Sequence, residues 1–256
     1  MSWLRTLWKS ALVKKAVMAV TGVMLFGFVL GHMAGNLKLY FGAESLNHYA
    51  EWLRTIGEPA LPHGVFLWIA RGGLLLAVGL HILAAVQLTQ MNRAALPSGQ
   101  KGRRAVQSDY ATRTMRWGGV IIVLFVIYHL AHFTFGPSWA HPDFVKGDVY
   151  HNVVSGFSVW WISAFYIVAQ LALGLHLSHG LWSMFQSLGI DHPQVKVWRK
   201  PFARAFAAVI VIANISFPVS VLLGIVQPET PKIAVETAAV ETLEPESLVV
   251  EQGVAE

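Results

Sequence analysis

The chain contains no cysteine. Disulfides, iron–sulfur clusters and thiolate metal sites are therefore excluded within it. Charge is scarce as well: 13% of the 256 residues are Asp, Glu, Lys or Arg, against roughly 25% in an ordinary soluble domain. Apolar residues fill the gap, at 55% of the sequence with a mean hydropathy of +0.52. A load of that size cannot be covered by a polar surface, and it excludes a disordered chain for the same reason. No glycine fingerprint for dinucleotides or phosphates occurs, because the glycines lie within apolar runs. Small residues there permit close helix packing. The composition reads as an all-α integral membrane protein.

A bilayer core needs ~20 mostly apolar residues per helix. Five stretches qualify: about 17–37, 65–88, 117–135, 157–181 and 202–226. The first is too long and lacks the small-residue cleavage site of a signal peptide. Asn214 and Pro218 interrupt the last, and a kink is expected at Pro218. Residues 1–227 thus form one five-helix membrane domain. Residues 228–256 hold seven glutamates and three prolines, with Lys232 as their one cation, and read as a flexible acidic tail.

The net charge of +5 does not point to nucleic acid, because the cations are placed as a membrane topology places them. Arg5, Lys9, Lys14 and Lys15 precede the first span. Arg93, Lys101, Arg103, Arg104, Arg113 and Arg116 lie between the second and third, and Lys196, Arg199, Lys200 and Arg204 flank the start of the fifth. That puts 14 of the 19 Lys and Arg on one side. By the positive-inside rule this side, with the N-terminus, is cytoplasmic, and five spans then put the C-terminus outside.

Histidine is what the spans do contain. His32 lies in the first, His81 in the second, His129 and His132 in the third, and His176 and His179 in the fourth, whereas no acidic residue falls in any span. Ionisable groups at membrane depth are costly, face the bundle interior and mark functional sites. A helix rises ~1.5 Å per residue. His32 is then ~25 Å up from Lys15 and His129 ~20 Å up from Arg116, both in the outer half. His81 is ~24 Å down from Val65 and His176 ~28 Å down from Phe157, both in the inner half. Two pairs at two levels suit two stacked haems b, each held by two imidazoles, an arrangement that favours electron transfer over O₂ binding. A carboxylate-bridged di-iron site needs Glu-x-x-His motifs, and zinc needs three or four ligands around one point. A proton relay of histidines is the competing reading. Depth alone does not separate His129 from His132. His179 sits nearer the inner interface, where a propionate or quinone contact suits it. Arg71, within the second span, either snorkels to the outer interface or pairs with a propionate of the outer haem.

The residues around these histidines resemble those of a known family. Phe165-Tyr166-Ile167-Val168 followed by Leu175-His176-Leu177-Ser178-His179-Gly180-Leu181-Trp182-Ser183, together with Gly31-His32-Met33, Gly79-Leu80-His81 and Tyr128-His129, is similar to the cytochrome b subunit of succinate dehydrogenases and fumarate reductases. The type resembled has five helices, two haems and a single anchor polypeptide, and the likeness covers about residues 10–226. It implies one axial ligand on each of the first four spans: His32 and His129 for the outer haem, His81 and His176 for the inner. It implies a flavoprotein and an iron–sulfur subunit docked on the cytoplasmic face of a bacterial inner membrane. It further implies electron transfer to a quinone, menaquinone by family expectation, in the tricarboxylic acid cycle or in fumarate respiration. Some fumarate reductases of this type carry a glutamate two residues before the fourth-span ligand, and here that position is Gly174. Glu44, Glu51 and Glu58, with His48 and His63, lie in the outer loop after the first span as candidates for proton exchange with quinone. Two alternatives stay open: an anchor for another quinone-linked dehydrogenase, such as a hydrogenase or formate dehydrogenase, and a proton or metal transporter using the same histidines.

Overall fold

The structure, a computed structural model, describes residues 2–95, 106–190 and 192–229, with side chains at residue 3 and over 7–95, 115–190 and 192–229. The described residues form α-helices α1 (Ser2–Lys9), α2 (Ala11–Asn36), α3 (Gly42–Thr55), α4 (Val65–Ala94), α5 (Val106–Leu130), α6 (Val149–Ser158), α7 (Trp160–Ser187) and α8 (Pro193–Leu222). No strand occurs among them. Five helices, α2, α4, α5, α7 and α8, are long and apolar enough to cross a membrane. The chain is a multi-pass, all-α membrane protein.

Local chemistry sets several helix starts. Ser10 caps α2, its hydroxyl accepting from the Leu12 amide at 3.2 Å. Asp148 caps α6 by accepting from the His151 amide at 2.9 Å. Pro193 opens α8 in the first turn, where its missing N–H leaves no intrahelical bond unmade. In each case an amide that the helix cannot satisfy internally is met or removed.

The principal packing pairs are α7 with α8, α2 with α4, and α5 with α7. Small residues let these helices approach: Ala84 and Ala203 are fully buried, and Ala77, Ala169 and Ala207 nearly so. Lipid is as apolar as leucine, so close van der Waals contact and interhelical hydrogen bonds do the work that burial does in water. Between α7 and α8, Asn214 Nδ2 donates to Gln170 Oε1 at 2.9 Å. At the same seam, a Cβ on Gly174 would lie 2.3 Å from Val211 Cγ2.

One end of the bundle, the α3 side, carries a folded cap. Leu39, Leu46, Tyr150, Val154, Phe157, Ile162, Tyr166, Phe217, Val221 and Val226 form its apolar core. Polar bonds tie its pieces together: Asn47 Nδ2 donates to Asp148 Oδ1 at 3.0 Å, and the Tyr150 amide donates to Asn47 Oδ1 at 3.0 Å. Tyr150 Oη donates to the Gln227 carbonyl at 2.8 Å, and Glu229 Oε1 accepts from the Ala43 amide at 2.8 Å. Burial, with the Glu229 carboxylate adding to it, holds the Tyr150 phenol above its ordinary pKa.

The helices differ from the apolar stretches in three places. The apolar run over 157–181 is broken at Val159, whose backbone is extended, so Phe157 belongs to α6 and the crossing helix starts at Trp160. α4 continues to Ala94 and α8 begins at Pro193, since helices extend past the zone that hydropathy marks. α8 runs on as one helix through Pro201 and Pro218. Beyond Glu229 the acidic tail, residues 230–256, lies outside the described residues, as do 96–105 between α4 and α5.

Candidate functional site

The four histidines singled out by depth and by the resemblance meet in twos. Near the α3 side, His32 of α2 faces His129 of α5 with ring centroids 5.8 Å apart and planes at 85°. Toward the opposite, α1 side, His81 of α4 faces His176 of α7 with centroids 6.3 Å apart and planes at 62°. Each pair joins two different helices. The α3-side pair lies toward the C-terminal ends of α2 and α5. The α1-side pair lies past the midpoints of α4 and α7, which run the other way.

The spacing tests whether a bis-imidazole metal fits. An imidazole nitrogen binds metal at ~2 Å with its ring centre ~1.1 Å behind it, so two trans imidazoles have centroids ~6 Å apart. Both pairs meet that requirement, and neither is close enough for the two rings to stack. Among the described residues, no three His, Asp or Glu side chains converge as a metal-binding group.

Further contacts orient the ligands. His81 Nδ1 lies 3.1 Å from Thr21 Oγ1, which itself donates to the Val17 carbonyl at 2.7 Å. Holding Nδ1 aims Nε2 away, the usual means by which a protein fixes a ligating imidazole. Gly22 flanks the same ring, where an added Cβ would sit 3.6 Å from His81 Cε1. His176 Nδ1 is buried with no hydrogen-bond partner. On the α3 side, His129 Nδ1 lies 3.3 Å from Tyr166 Oη.

The duplicated histidines separate cleanly. His132 is not in the α3-side pair. It is fully buried, sits 3.0 Å by Nδ1 from Tyr166 Oη, and stacks on His141 with centroids 4.8 Å apart. His179 packs edge-on to Trp182 at 5.1 Å, and that indole also has Lys200 at 5.1 Å and Arg199 at 5.8 Å. Arg71 lies over the Trp68 ring at 4.8 Å, a cation–π contact on its own helix.

The candidate carboxylates also divide. Glu51 pairs with Arg54 at 3.1 Å and His63 at 3.3 Å, and Glu58 pairs with His63 at 3.0 Å, all on the exposed surface. Glu44 instead lines a cavity of about 390 Å³ between α3, α6 and the segment at Pro228–Glu229. Ser155 on its wall reaches His141 Nε2 at 3.5 Å.

Sequence reasoning passed over His141, which follows the third span in a loop, and gave Tyr166 no role of its own. Its one available signal was that Tyr166 lies four residues past Ile162 in a run that otherwise carries no phenol. No known protein family, no curated protein and no solved structure matches this chain.

Proposed function

We propose that this chain is the di-haem cytochrome b anchor of a succinate:quinone oxidoreductase in a bacterial cytoplasmic membrane. The observation that carries the reading is the pairing of His32 with His129 and of His81 with His176, with ring centroids 5.8 and 6.3 Å apart, the residues that would hold two haems. A haem b held by two imidazoles supplies one-electron transfer without an open site for O₂. The protein's part is to present neutral nitrogens on four helices, to orient two of those rings through Thr21 and Tyr166, and to keep water away from them.

The family resemblance supplies the partners: an iron–sulfur subunit and a flavoprotein at the cation-rich, cytoplasmic end, and menaquinone near the opposite end. The absence of cysteine requires any cluster to belong to a partner. Lys196, Lys200 and Arg204 at the start of α8 suit the docking of an acidic face and of anionic lipid. Gly174, where the family's proton-conducting branch has glutamate, is where α7 touches Val211. A longer side chain there would separate α7 from α8.

The test is a pyridine haemochrome assay with reduced and oxidised spectra on the purified chain. Two low-spin haems b per chain are expected. A fully loaded chain with one haem, or none, refutes the reading, and none at all favours a transporter. Copurification with a hydrogenase or formate dehydrogenase in place of succinate-oxidising subunits refutes the choice of partner.

A further inference from the structure

Behind the α3-side pair, Tyr166 belongs to a group of polar side chains that extends through His132 to His141. Tyr166 Oη lies between His129 Nδ1 at 3.3 Å and His132 Nδ1 at 3.0 Å. A phenol has one proton to donate, and a neutral imidazole carries one N–H. The group ends at His141, whose Nε2 is 2.9 Å from the Asn152 carbonyl. Two nitrogens within it, His132 Nε2 and His141 Nδ1, are buried without a partner.

A carbonyl only accepts, so His141 carries its proton on Nε2 and leaves Nδ1 bare. If His129 binds iron through Nε2, its proton is on Nδ1 and is donated to Tyr166 Oη. The phenol must then donate its own proton to His132 Nδ1, which puts the His132 proton on Nε2. His132 Nε2 and His141 Nδ1 stay without a partner, on rings stacked 4.8 Å apart.

We infer that Tyr166, seated against His132, is a positioning residue that holds the His129 ring by its Nδ1 and tunes the iron that His129 would bind. The inference rests on the haem reading given above. Accepting from Nδ1–H makes an axial imidazole more basic and a better donor to ferric iron. Donation to His132 keeps the phenol oxygen turned toward His129. The α1-side pair has Thr21 in the corresponding place on His81, so changes at Tyr166 act on one pair alone.

The experiment is a redox titration of both haems, followed optically and by the ferric EPR signals, in the intact chain and three variants. Tyr166→Phe keeps the ring, which packs on Phe125, Phe133 and Phe157, and removes only the hydroxyl. A tenfold loss of ferric over ferrous preference is expected, which is ~59 mV upward for one electron. It should fall on the α3-side haem, with the other unmoved and both retained. His132→Leu, which removes the phenol's acceptor, should shift the same haem upward. His132→Gln, which restores an acceptor, should return it toward the unsubstituted value. Equal potentials in Tyr166→Phe and the parent, or equal shifts in both haems, overturn the inference. Should Tyr166→Phe not assemble, the contrast between His132→Leu and His132→Gln decides alone. A parent chain that binds no haem overturns the functional reading instead, and is told apart by its spectrum.

Discussion

Gly156 offers a test of the buried histidine group that requires no assumption about cofactors. A Cβ at this position would lie 2.7 Å from His132 Cε1, 2.8 Å from His132 Nε2 and 3.2 Å from His141 Nε2. Ordinary contact begins near 3.4 Å, so the His132 ring must move by several tenths of an ångström. It has no room to do so, being fully buried between Tyr128, Phe133, His141 and Tyr166. Overpacking of this kind costs ~1–3 kcal/mol. Two approaches under 3.0 Å to a ring without room put this cost at about 2–3 kcal/mol; helix propensity in α6 returns up to ~1 kcal/mol, so the net effect of Gly156→Ala is a loss of about 1–2 kcal/mol. Gly73→Ala in α4, where nothing lies within 4 Å of the added carbon, isolates the propensity term and should be neutral or slightly stabilising. Thermal unfolding of the two variants in one detergent should therefore move in opposite directions. The drop for Gly156→Ala should be roughly 2–8 °C at 2–4 °C per kcal/mol for a chain of this size. A Gly156→Ala protein as stable as Gly73→Ala would refute the close packing of α6 on His132.

Two further outcomes separate residues that the sequence left together. His176→Ala should abolish one of the two haems, because it removes half of the His81–His176 pair. His179→Ala should leave both bound, because that ring packs on Trp182; the haem content of each purified variant decides. Among the carboxylates, Glu44→Gln should slow quinone reduction by about a hundredfold, the low edge of what a general acid–base group contributes, with dye reduction by succinate intact. Glu51→Gln and Glu58→Gln should change quinone turnover less than twofold, since both are surface partners of His63. Loss of quinone activity in the latter two with Glu44→Gln unaffected would place the chemistry away from the cavity.

The five crossings were legible because a bilayer demands ~20 apolar residues and nothing else in this sequence supplies such runs. That histidines of the first and third spans share one level, and those of the second and fourth another, was legible because helical rise converts residue number to depth; depth did not choose His129 over His132. What lay hidden depends on direction around the helix. The break at Val159 sits inside an uninterrupted apolar run. It is held by a local contact across it, the buried Ser163 hydroxyl donating to the Phe157 carbonyl at 2.7 Å. The segment after α2 reads as a solvated loop by composition, yet it forms α3, because Leu46 and Leu39 are buried against α6. His141 could not be placed, since a loop residue has no depth to count.

The separation of His129 from His132 shows why period alone was insufficient. Residues three apart on an α-helix are neighbours on one face, so both imidazoles would compete for the space opposite His32. The helix changes at this point: Ala131–Phe135 forms a π turn, with the Gly136 amide donating to the Ala131 carbonyl at 2.9 Å. One residue is thereby added to the turn between the two histidines and the end of the span. His129, still in the regular helix, keeps its direction toward α2. His132, inside the wider turn, is directed to α6, the Tyr166 hydroxyl and His141. Such insertions recur at functional sites, and here the wider turn resolves two chemically identical side chains into a ring that faces His32 and a ring that stands behind it. Gly136, with φ of 59°, then reverses the chain into the loop that brings His141 back over His132. A residue with a side chain is strained in that left-handed conformation. A Cβ there would also lie 2.1 Å from the Phe144 ring, so the path of this loop is fixed by the one residue type that can occupy the position.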